Sequence, residues 1–134
     1  MKLIRCAVAL LLLAGVATVE AHHSFTAEFD DNKPVKLTGT ITEMRWSNPH
    51  GWIYIDVKGG DGKTVNWACE TGAVNSLYRR GWRKEDLPVG AMVTVDGWQA
   101  RNGSPTLNAQ SIILPDGRRL FAGSSKSGAE GTEK

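Results

Sequence analysis

Histidine occupies two places in this chain: the adjoining pair His22 and His23, and His50 in the turn Ser47-Asn48-Pro49-His50-Gly51. What the pair can do depends on where the mature chain begins. If cleavage falls between Ala21 and His22, an N-terminal histidine presents an α-amine and an imidazole on one residue. That amine has an ordinary pKa of about 7.7–8.0 and is partly deprotonated at neutral pH. Amine and Nδ1 can then close a chelate ring on one metal ion. A second imidazole completes three nitrogens in a plane, an arrangement suited to Cu(II), which also stands highest in the divalent affinity order. In an extended segment His22 and His23 point to opposite sides, so His50, on a rigid Asn-Pro turn, is the better second ligand. The expected metal set is therefore His22, His50 and His23.

The first residues support that cleavage. Lys2 and Arg5 precede an apolar run from Cys6 to Val19, and Val19 and Ala21 are small residues at the positions a signal peptidase reads. The run is shorter than the roughly 20 residues a spanning helix needs. Residues 1–21 are expected to be a signal peptide and the product periplasmic or secreted, with no membrane span. A formal net charge of +2 over the whole chain argues against nucleic acid as a partner. Only Cys69 remains after processing, so no internal disulfide is available and five tryptophans must supply much of the packing.

These residues need a scaffold, and the pattern is β. Val35 to Trp46 alternates Val35, Leu37 and Ile41 against Thr38, Thr40 and Thr42, with Gly39 marking a bend or bulge. Trp52 to Lys58 and Thr64 to Glu70 form the next two strands, joined by a Gly-Gly-Asp-Gly hairpin. A helix over Ala73–Arg80 follows, with Thr71 as its cap, Val74, Leu77 and Tyr78 as its apolar stripe and Gly81 as its stop. Ala91 to Trp98 and about Leu107 to Leu114 complete five strands. The order β-β-β-α-β-β is that of an all-β, five-stranded Greek-key OB-like barrel. A two-layer sandwich ordinarily needs seven strands or more. The division expected is an N-terminal segment over 22–34, a barrel over 35–121 and a disordered tail over 122–134, whose residues are small and polar. The segment 22–34 can dock across the barrel as a strand, in which Phe25, Ala27 and Phe29 alternate with Thr26, Glu28 and Asp30 and the phenylalanines face down.

Trp52 and Tyr54 share one face of the second strand, where OB barrels often stack ring-shaped ligands, and Trp46 and Trp98 could extend that platform. A glycan or small aromatic ligand would suit it, and structural packing is the competing role. Catalysis finds little footing. Cys69 is expected to face the barrel interior, where thiols are inert. Asp56, Glu70 and Asp96 are scattered on strands, and Ser24, His23 and Glu28 are sequence neighbours without triad spacing. Arg79, Arg80, Arg83 and Lys84 gather at the helix end, where dipole and solvation account for them and a small anion or acidic partner is the alternative.

His-His-Ser-Phe at 22–25, Asn48-Pro49-His50 with Trp52, and Arg79-Arg80-Gly81-Trp82 together resemble the short exported bacterial proteins of a domain-of-unknown-function family that begin, after the signal peptide, with His-His-Ser-Phe. The resemblance implies an envelope location and an OB-like barrel, and it brings no activity. The expected role is non-catalytic binding of a divalent transition metal, copper favoured. The alternatives are a small-ligand stacking surface at Trp52 and Tyr54, or a module for an envelope protein partner.

Overall fold

The structure is a computed structural model that describes residues 25–124 and 126. Six strands, β1 (Phe29–Arg45), β2 (Trp52–Lys58), β3 (Thr64–Glu70), β4 (Met92–Ala100), β5 (Thr106–Ile113) and β6 (Arg119–Phe121), form one sheet. A short helix α1 (Val74–Arg79) and a 3-10 turn (Lys84–Asp86) sit between β3 and β4. Antiparallel pairings run β3-β2-β1-β4-β5-β6, and a parallel pairing of Ala68–Glu70 with Thr106–Asn108 joins β3 to β5. Five strands thereby close into the ring β1-β2-β3-β5-β4, as the strand order of the sequence implies.

Alternation fills the ring. Ile41, Ile53, Ile55, Cys69, Val93, Val95, Leu107 and Ile112 are buried inside it. Leu77 from α1 and Trp82 join the same core, and the Trp82 indole Nε1 donates to the Phe121 carbonyl at 3.0 Å. β2 and β3 run where the sequence put them, in a register that pairs Lys58 with Thr64 and Trp52 with Glu70.

Four expectations are corrected. The irregularity in β1 falls between Ile41 and Glu43, not at Gly39. Gly39 is small for another reason: a Cβ there would stand 2.5 Å from the Asp56 carbonyl oxygen of β2. Thr71 does not cap α1, because its hydroxyl donates to the Gly72 carbonyl, and Ala73 occupies the cap position with no side-chain hydrogen bond. β6, unforeseen, pairs with β5 through Ser111–Phe121, Ile112–Leu120 and Ile113–Arg119. The chain also stays packed beyond Phe121. Of the tail expected to be disordered, residues 122–134, Ala122 and Ser124 are buried and Lys126 Nζ stands 4.5 Å over the Trp98 ring. The signal peptide and the rest of the tail lie outside the described residues. Among the described residues no helix is long and apolar enough to cross a membrane.

The N-terminal segment does lie on the barrel. It does not start as the expected strand: residues 25–28 are helical, so Phe25 and Phe29, four apart, share a side, whereas Ala27 is exposed. Phe25 meets Trp98 edge-on at 5.6 Å, and Phe29 pairs with Ala100 of β4. Arg101 clamps the segment: its backbone N–H donates to the Glu28 carbonyl at 2.9 Å and its Nε to the Thr26 carbonyl at 2.6 Å.

Candidate functional site

The site begins with a row of side chains on the outer face of the ring. Cys69 and Leu107 point inward, so their neighbours Glu70 and Asn108 point outward. Register sets them in line: Trp52 opposite Glu70, Glu70 opposite Asn108, and Asn108 opposite Trp98. The 25–29 segment and the chain end around Ser124 cover this row. Glu70 is only 7% exposed and Asn108 is buried.

A buried carboxylate needs partners. Asn108 Nδ2 donates to Glu70 Oε1 at 3.2 Å, and the Ser124 hydroxyl donates to Asn108 Oδ1. His50 Nδ1 stands 3.4 Å from the same Glu70 oxygen. Burial pushes the Glu70 carboxyl above its ordinary pKa, the nearby Glu28 charge adds to the rise, and His50 and Asn108 oppose it.

Backbone pairing fixes His50. The Gly51 N–H donates to the Gly72 carbonyl and the Thr71 N–H to the Gly51 carbonyl, which carries the β2–β3 ladder past both strand ends. A Cβ at Gly51 would come within 2.7 Å of Thr71 Oγ1, so any larger residue would have to displace that hydroxyl. The Ser47 hydroxyl donates to the His50 carbonyl at 2.6 Å. His50 Nδ1 then lies 3.1 Å from the Thr71 carbonyl oxygen. A carbonyl only accepts, so Nδ1 carries the hydrogen, and in the neutral ring the lone pair is left on Nε2. The side chain remains 43% exposed.

Beside this pair opens a cleft of about 420 Å³ between the 25–29 segment, Trp52, Glu70 and the turn from β4 to β5. The structure thus unites His50 and Trp52 around Glu70. Tyr54 stays outside the cleft, its ring covered by the Arg45 guanidinium at 4.9 Å. Trp46 and Trp98 do not extend a common platform: Trp46 stacks on Tyr78 at 5.4 Å, while Trp98 packs against Phe25. His22 and His23 lie outside the described residues. Among the described residues no three His, Cys, Asp or Glu side chains gather closely enough to hold a metal ion. Cys69 faces the interior as expected, and burial pushes its thiol up to about 12.

Residue types and spacing alone do not single out Glu70, Glu28, Asn108 or Arg101 as site residues. For Glu70 a signal exists: the hairpin joining β2 to β3 places it opposite Trp52.

The chain belongs to a family of unknown function, DUF6152, which matches residues 9–108. No curated protein matches the sequence. Fold and site together define a small barrel carrying a polar cleft on its outer face, wrapped by its own N-terminal segment.

Proposed function

We propose that this is an exported bacterial envelope protein that binds a divalent transition metal, copper favoured, without turnover. His50 Nε2 is one ligand, and the α-amine and imidazole of His22, with His23 beside them, supply the others. The observation that carries this reading is the 3.1 Å contact of His50 Nδ1 with the Thr71 carbonyl oxygen, which leaves Nε2 as the ring's acceptor. Histidines that ligate metals almost always donate their other ring N–H to a carbonyl or carboxylate. His50 does so to Thr71, with the Glu70 carboxyl adjoining.

The N-terminal segment supports it as well. Ala27, Glu28 and Phe29 line the same cleft as Glu70, which touches His50. His22 is three residues ahead of Phe25, a stretch that spans about 10 Å at most. The motifs His-His-Ser-Phe and Asn-Pro-His thus gain one shared purpose.

Calorimetry with Cu(II) tests the reading on three proteins: the chain beginning at His22, the same chain with an extra N-terminal Met, and His50→Ala with its circular dichroism unchanged. One tight equivalent in the first and a loss of at least tenfold in the other two are expected. Equal affinities in all three would overturn the terminal chelate.

A further inference from the structure

The cleft holds more than a metal reading uses. We propose that it is a binding site for a small organic ammonium ion, with the charged head on Glu70 and Glu28 and the carbon body against Trp52. The inference rests on the cleft's own residues and stands apart from the metal reading.

Glu70 carries the argument. It is nine-tenths buried and lines the cleft, yet only one of its oxygens is engaged. Oε1 accepts from Asn108 and adjoins His50. Oε2 has no hydrogen-bond partner among the described residues. No fully buried side-chain oxygen or nitrogen among them lacks a partner. Oε2 is therefore not fully buried, and on a residue that lines the cleft its lone pairs are there for a ligand's N–H to fill.

Charge fixes the sign of the ligand. Among the described residues, Glu28, Glu70 and Arg101 are the ionisable ones lining the cleft, an excess of carboxylate. Arg101 is also partly spent, its Nε donating to the Thr26 carbonyl. An anion would meet Glu70 head-on, and a neutral ligand could at best donate a hydrogen bond to Oε2 without the opposite charge that offsets its desolvation.

Size and lining fix the rest. A volume of about 420 Å³ lies within the usual range for small-molecule sites. It far exceeds the roughly 30 Å³ share of one water, and so a bare monatomic ion. Ala27, Phe29, Trp52 and Ala100 give the walls carbon surface, and an indole face attracts a cation as well as a ring.

The test is calorimetry of the processed chain in EDTA, with phenethylammonium, its neutral analogue 2-phenylethanol and its anionic analogue 3-phenylpropionate as probes. EDTA removes metal, so success or failure here is separable from that of the copper titration. The amine is expected to bind one-to-one and at least tenfold more tightly than either analogue. Glu70→Gln, which keeps the acceptor for Asn108, is expected to weaken the amine at least tenfold, and Glu28→Gln to weaken it less. Amide shift mapping on the unmutated protein guards against a misfolded variant, with shifts expected at Trp52, Glu70 and Arg101. Equal binding of the three probes, unchanged affinity in folded Glu70→Gln, shifts confined to another face, or no saturable binding of the amine would each overturn the proposal.

Discussion

Trp52 and Glu70 stand directly opposite each other on β2 and β3, and both line the cleft. An indole beside a carboxylate excludes the water that would otherwise solvate the charge. The consequence is the raised Glu70 pKa, for which burial is the largest cause.

That shift predicts a pH dependence. The folded protein holds the Glu70 proton more tightly than the unfolded chain does. The favourable contribution is fully present below the ordinary value of 4.5 and is lost as pH rises through the folded value. In metal-free protein, Glu70→Gln is therefore expected to be more stable than the parent at neutral pH. The gap should close as pH falls below the ordinary value. Urea midpoints measured across the range check it, and a Glu70→Gln protein that is less stable at pH 7 would contradict the assignment.

Phe25 anchors the segment that walls the cleft. It is buried, but against a small cluster of Phe29, Ala100 and Trp98 that stands apart from the barrel core. Phe25→Ala should remove about 3 kcal/mol from the docking of this segment, the lower end for a buried phenylalanine. The Arg101 amide, bonded to the Glu28 carbonyl, reports on it. Its hydrogen exchange should quicken by on the order of a hundredfold while the barrel's own slow amides change little. Uniform acceleration throughout would show that segment and barrel open together.

Glycine at 97 is a steric requirement of the β4–β5 pairing. A Cβ there would run into the Asn108 carbonyl oxygen, a backbone atom held by the sheet. Gly97→Ala is expected to cost about 1–3 kcal/mol in urea unfolding, the usual range for overpacking. It should also disturb the Asn108 amide that serves Glu70. Gly60, where an added methyl would meet nothing within 4 Å, is the control. Gly60→Ala should fall within about 0.5 kcal/mol of the parent.

Much of the scaffold is legible in the sequence because its signals are local. The Gly-Gly-Asp-Gly hairpin and two alternating runs fix β2 and β3 to the residue, and the same register implies Trp52 opposite Glu70. From that pairing, a turn ending at His50 must fall beside Thr71. What cannot be read is the outer wrapping. Whether Glu70 is solvated or buried depends on the 25–29 segment and on Ser124, both distant in sequence, covering that face. Thr71 has the residue type of a helix cap, yet the ladder through Gly51 and Gly72 engages its neighbourhood first. The tail's composition argues against packing, yet Ala122 joins the hydrophobic core and Ser124 is buried where its hydroxyl bonds Asn108. Alternation alone cannot tell whether Trp98 faces a ligand or a neighbouring phenylalanine.

The ring is zipped shut by just three residue pairs between β3 and β5, and the last of them is Glu70 with Asn108. The seam of the barrel and the wall of the cleft are thus the same stretch of chain. Whatever settles on Glu70 also rivets that seam, so occupancy would be felt as stiffness across the whole cylinder, even where no ligand atom touches it.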